Sequence, residues 1–142
     1  MMFGRVMPWI SRAVLLAALV VLALISRKFI ADPVEAAAAS DITLDSPLAI
    51  TNMRASFGAF PLGCALFALL CLVTSSLRKT GLVFVALIIG TALVVRIFGI
   101  IADGTFAESL RVTIAESVLL CLSLAAYAGE RLACASSASR RA

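Results

Sequence analysis

Four long apolar stretches alternate with shorter polar ones along the chain, at residues 7–25, 55–75, 81–101 and 110–127. Each is close to the ~20 apolar residues that a helix needs to cross the hydrocarbon core of a bilayer. The longest polar stretch, 26–52, leaves little chain for a separate soluble domain. The pattern therefore predicts an all-α integral membrane protein, a single four-helix bundle over residues 1–142 ending in a basic tail, 128–142. The first outer loop carries its own helix signal, since Asp32 suits a cap, Pro33 the first helical position and Glu35 the return contact of a capping box, with four alanines following. A short interfacial helix is expected there, broken by the turn-forming run 41–47. Only residues 76–80 separate spans two and three, which makes those helices antiparallel neighbours. Asp103-Gly104 ends span three and turns the chain into span four.

One position departs from the apolar pattern. Arg96 sits inside span three, where a cationic side chain costs roughly 2.5–3.5 kcal/mol on insertion scales and calls for an acidic partner. Arg96, Gly99 and Asp103 share one helical face. On span four, Glu116 lies about 12 Å inward of Glu108, and Arg96 lies about 10 Å inward of Asp103, at 1.5 Å per residue. Matching depths across a short turn predict an Arg96–Glu116 ion pair. Arg54 and Arg111 are expected nearer the outer surface, within reach of Asp103 and Glu108. With Asn52 at the start of span two, these residues form a candidate charged seam that either binds a ligand or only fixes helix register. In span two, Gly58, Gly63, Ala55 and Ala59 are small enough to let helices approach closely, and Gly58 and Pro61 interrupt the helical pattern.

Charge settles the expected topology. With 12 basic and 8 acidic residues the net charge is +4, but the basic residues flank apolar spans and form no stripe with interleaved aromatics, so nucleic acid is not an expected partner. Arg5, Arg12, Arg78, Lys79, Arg131, Arg140 and Arg141 fall on one side with a single acid, Glu130. Asp32, Glu35, Asp41, Asp45 and Glu108 fall on the other, with Arg27 and Lys28 as a counter-signal. The positive-inside rule then puts both termini in the cytoplasm of a bacterial inner-membrane protein, with an uncleaved first helix. Trp9 and Tyr127 fit the inner interface, and the tail from Cys134 onward is expected to be disordered or to lie against anionic lipid.

Absent residues remove several chemistries. The chain has no histidine, which excludes histidine-ligated haem and histidine acid–base catalysis. Cys64 and Cys71 are seven apart on one helix, too far for a disulfide, and no C-x-x-C occurs, so the four cysteines read as small apolar fillers. Neither a phosphate-binding Gly-rich loop nor a G-x-S-x-G elbow is present. No metal, no cofactor and no catalytic residue is assigned.

The runs Arg27-Lys28-Phe29-Ile30-Ala31-Asp32-Pro33 and Asn52-Met53-Arg54-Ala55-Ser56-Phe57-Gly58, the group Arg96-Ile97-Phe98-Gly99 with Asp103-Gly104, and Glu116 together resemble the bacterial membrane family called domain of unknown function 4345. The resemblance covers nearly the whole chain. It implies a small four-helix integral membrane protein, distantly similar to DoxX-type proteins, some of which accompany quinone-linked redox enzymes. The reading that follows is a non-enzymatic bundle that binds a lipid, an isoprenoid or another membrane protein through the charged seam. The rival is an accessory subunit of a quinone-linked enzyme, or a small membrane isomerase that moves protons through Glu116 and Asp103.

Overall fold

The computed structural model describes residues 3–139, with side chains described for 8–132. Arg5, Cys134, Arg140 and Arg141 of the expected inner side lie outside the described side chains. Among the described residues every regular element is helical: α1 (Phe3–Ala31), α2 (Pro33–Ala38), α3 (Pro47–Met53), α4 (Phe60–Val73), α5 (Arg78–Asp103) and α6 (Phe106–Ser139). A π-helical turn, Arg54–Ala59, joins α3 to α4, and a 3-10 turn, Ser75–Leu77, precedes α5. Four continuous stretches are long and apolar enough to cross a membrane: Pro8–Ala31, Pro47–Val73, Ser75–Asp103 and Phe106–Leu132. Each outruns its apolar core. Hydropathy marks what prefers lipid, whereas the helix continues through flanking polar residues until a capping or turn residue stops it. Thus α1 includes Arg27 and Lys28, and α6 continues to Ser139 through much of the expected tail.

The contacts group into two compact units, one made of the chain up to Leu15 and from Cys71 on, the other of Leu16–Leu70. In the second unit the sequence signals act locally. The Asp32 side chain accepts from the Glu35 backbone N–H at 3.0 Å, with Pro33 at the first helical position of α2. The reciprocal half of the capping box does not form, because the Asp32 N–H already donates to the Lys28 carbonyl. Asp41 takes a left-handed conformation, φ 56°, which a short polar side chain tolerates better than most. Ser46 then caps α3 by accepting from the Ala49 N–H at 3.1 Å, with Pro47 at the first helical position. Span two accordingly starts at Pro47, eight residues before the expected Ala55.

The π turn answers Pro61. A proline inside a helix offers no N–H to the carbonyl four residues back and crowds it with its ring. Here the Phe60 N–H donates to the Ala55 carbonyl, five residues back, so the helix widens just before the proline and stays continuous. Gly58, inside this turn, is buried against α1: a Cβ there would lie 2.7 Å from Ile30 Cγ1. The neighbouring Phe57 ring meets Phe29 at 5.2 Å between centroids. Gly63 has nothing within 4 Å of where its Cβ would be, so the expected close approach holds at Gly58 and not at Gly63.

In the first unit the tightest packing lies near the start of α5. Leu15, Cys71 and Leu82 are fully buried, and Gly81 brings three segments together: a Cβ on it would sit 2.5 Å from Cys71 Cβ and 3.0 Å from Leu15 Cδ2. Cys64, Cys71 and Cys121 are all free thiols. At the far end, Gly104 takes φ 71° and its N–H donates to the Ile100 carbonyl, closing α5 and returning the chain as α6. The Cβ of an alanine at position 81 would strike a side-chain stem that has no freedom to swing away. Gly81→Ala is therefore expected to destabilise the fold by about 1–3 kcal/mol. Gly63→Ala should be neutral or gain up to about 1 kcal/mol of helix stability. Thermal unfolding in a fixed detergent compares the two directly, and equal effects would contradict the packing described.

Candidate functional site

α5 and α6 pack against each other as an antiparallel hairpin. Their register can be read from three contacts. Arg78 lies opposite Glu130, Gly90 opposite Leu120, and Arg96 opposite Glu116. On α6 the inward stripe follows steps of four and three: Ser109, Thr113, Glu116, Leu120, Ser123, Tyr127, Glu130. None of these seven is exposed, whereas Val112, Ile114, Val118, Leu122 and Leu124 around them are. The seam between the helices is thus the polar side and the outer surface the apolar one, the reverse of a soluble helix pair. Such a stripe was visible in the sequence as polar residues at heptad spacing in an apolar helix, a signal that depth matching alone passes over.

In the half of the hairpin nearer its turn is the expected ion pair. Arg96 Nε donates to Glu116 Oε2 and Arg96 Nη2 to Glu116 Oε1, both at 2.8 Å. This two-point geometry is the strong form of the arginine–carboxylate contact and fixes direction as well as distance. The Glu116 side chain is 14% exposed and that of Arg96 33%. Glu116 uses both oxygens on Arg96, while Arg96 uses two of its five N–H donors and its side chain stays one-third exposed. Beside the pair, Thr113 donates its hydroxyl to the Ser109 carbonyl at 2.9 Å and Ser117 to the Thr113 carbonyl at 2.8 Å. With their protons engaged in this way, these hydroxyls offer outward only acceptor lone pairs.

The remaining seam residues are placed differently. Asp103 is exposed, and its Oδ2 leans back over Gly99, 3.7 Å from where a Cβ on that glycine would be. Asp103, Glu108 and Arg111 form no ion pair with one another among the described residues; all three sit near the hairpin turn, where exposed charges gain little from pairing. Asn52 and Arg54 belong to the other unit, both exposed, Asn52 in the last turn of α3 and Arg54 at the start of the π turn. Sequence reasoning missed a second pair. Arg78 and Glu130, counted there only as topology charges, meet across the opposite end of the hairpin, Nη1 to Oε1 at 3.5 Å, with side chains 10% and 12% exposed. Near this end Arg12 lies over the Trp9 ring at 5.4 Å and Arg131 over Tyr127 at 6.0 Å. These stacked cations fit the interfacial role expected of both aromatics. Among the described residues no group of His, Cys, Asp or Glu could hold a metal ion.

Removing Glu116 would leave Arg96 unpaired at a cost bounded by its insertion penalty, roughly 2.5–3.5 kcal/mol. Glu116→Gln should accordingly lower the folded yield and the melting temperature. The exchanged double variant, Arg96→Glu with Glu116→Arg, should recover part of both. A double variant no better than the single ones would show that the pair does not hold the hairpin.

No curated protein and no solved structure matches the chain. A family model described as a domain of unknown function, DUF4345, does match, over residues 10–127, a range that takes in nearly all of the first span, Arg96, Glu116 and the hairpin turn. The chain belongs to the DUF4345 family.

Proposed function

We propose that the chain is a multi-pass inner-membrane protein that binds an amphiphile by its anionic head at the accessible edge of Arg96. One observation carries the reading: Arg96 is held in place by Glu116 and still has N–H donors to offer. The group best suited to meet such donors at a membrane boundary carries a phosphate or carboxylate oxygen. The acceptor hydroxyls of Thr113 and Ser117 would take a hydrogen bond from a hydroxyl or ammonium on the same head.

Depth supports a lipid-sized ligand. Eighteen residues separate Arg78 from Arg96, about 27 Å of helix, against a hydrocarbon layer of about 30 Å. With Arg78, Trp9 and Tyr127 at one boundary, Arg96 comes close to the other, at the level of lipid glycerol and phosphate groups. The cations Arg12, Lys79 and Arg131 near the Arg78 end favour that end as cytoplasmic, with Asp103 and Glu108 outside. The isomerase alternative gains less support, because both Glu116 oxygens are engaged and Asp103 does not join them.

The reading is tested by native mass spectrometry of the protein released from nanodiscs of equal phosphatidylglycerol and phosphatidylcholine. Preferential retention of phosphatidylglycerol is expected. The neutral pair Arg96→Gln with Glu116→Gln, which removes both charges together and leaves neither unpaired, should lose that preference about tenfold, a difference of about 1.4 kcal/mol. A folded double variant with the preference intact would assign the seam to structure alone.

A further inference from the structure

α5 carries a second stripe, on its side away from α6. Leu87, Thr91, Val94, Phe98 and Ile101 follow one another at steps of four and three. Leu87 stands nine residues from both Arg78 and Arg96, which meet α6, so the stripe lies about half a turn round the helix from them. Thr91 is exposed, and the four apolar residues, with Val95 beside them, are 63–78% exposed. Lipid answers an apolar stripe as well as protein does, so these residues alone point to no partner. Thr91 is different. It is 13 residues from Arg78 and 12 from Asp103, the two ends of α5, which puts it at the middle of the span. On α6 the hydroxyls of Thr113, Ser117 and Ser123 each donate to the carbonyl four residues back. The Thr91 hydroxyl makes no hydrogen bond among the described residues, so a donor and an acceptor face outward at a depth where lipid offers neither.

Whatever meets this hydroxyl must bring a donor and an acceptor to the same depth on a surface that fits a helix. A second copy of the chain, inserted in the same sense, does so by symmetry. About a two-fold axis along the membrane normal, each residue of the stripe faces its own counterpart. The two Thr91 hydroxyls are then complementary, one donating and the other accepting. The steps of four and three are the repeat of a left-handed helix pair, in which a single polar position fixes register. At roughly 100 Å² for each of the five exposed apolar side chains, two copies would cover about 1,000 Å², the size at which a specific interface begins. We propose that the chain forms a parallel homodimer through Leu87, Thr91, Val94, Phe98 and Ile101 of α5. This surface lies on the opposite side of α5 from Arg96 and does not depend on what Arg96 binds.

Association of the full chain is measured by sedimentation equilibrium in density-matched detergent micelles. A dimer is expected, with a dissociation constant that rises about threefold in Thr91→Val, which removes the hydroxyl and keeps the side-chain shape. The face is then located by oxidative cross-linking in the native membrane. Thr91→Cys and Phe98→Cys should join to a second copy well above the wild-type level. Ile97→Cys, at a position also exposed but about a quarter turn off the stripe, should not. A wild-type chain that stays monomeric at every concentration would assign the stripe to lipid and overturn the proposal. A dimer whose dissociation constant Thr91→Val leaves unchanged, or one that Ile97→Cys cross-links as readily as Thr91→Cys, would overturn it as well.

Discussion

Two helices in hydrocarbon gain almost nothing by touching through leucine, because lipid chains are equally apolar. The α5–α6 hairpin therefore depends on groups that lipid cannot satisfy, and the Arg96–Glu116 pair is the most demanding of them. Its two parallel hydrogen bonds constrain both axial position and rotation. Sliding one helix by a single residue moves a side chain by about 1.5 Å and turns it by about 100°, enough to break a two-point contact. The other close contacts of the hairpin, Gly90 against Leu120 and Arg78 against Glu130, belong to the same register.

That register also accounts for the contrast between the two pairs. The arginines are 18 residues apart on α5 and the glutamates 14 apart on α6, about 27 Å against about 21 Å of rise. With Gly90 level with Leu120, each glutamate lies about 3 Å nearer the middle of the hairpin than its arginine. Side chains on a helix lean toward its N-terminus. At the end nearer the turn Arg96 leans toward the middle and Glu116 away from it, so they converge into the 2.8 Å contacts. At the opposite end Arg78 leans away from the middle while Glu130 leans toward it, so they diverge, and a contact of 3.5 Å is what remains. A single backbone geometry thus closes one pair and opens the other.

The same reasoning separates what was legible in the sequence from what was not. Arg96–Glu116 could be derived because a lone charge in an apolar run has few partners at equal depth. The caps at Asp32 and Gly104 were legible because they act through neighbouring backbone. Asp103, Glu108 and Arg111 were expected to join a network, but near the turn nothing compels exposed charges to pair. Arg78 and Glu130 escaped notice for the opposite reason. Counting charges by side treats each as facing water, and only the packing around Gly81 and along the seam shows this pair to be buried. The π turn and the start of span two at Pro47 were hidden because hydropathy registers composition, whereas these features are choices of hydrogen-bond partner.

Closing a hairpin does not by itself require charge. Well-packed apolar residues in place of a buried ion pair often stabilise a fold, since they carry no desolvation cost. An apolar seam, however, would offer nothing to a polar ligand. Arg96 combines a fixed position with a partly exposed side chain, and the neighbouring hydroxyls are committed as acceptors. Register-keeping is served equally by a fully enclosed pair and by this one, so the one-third exposure of the Arg96 side chain is what the proposed ligand would use and is not needed for the register.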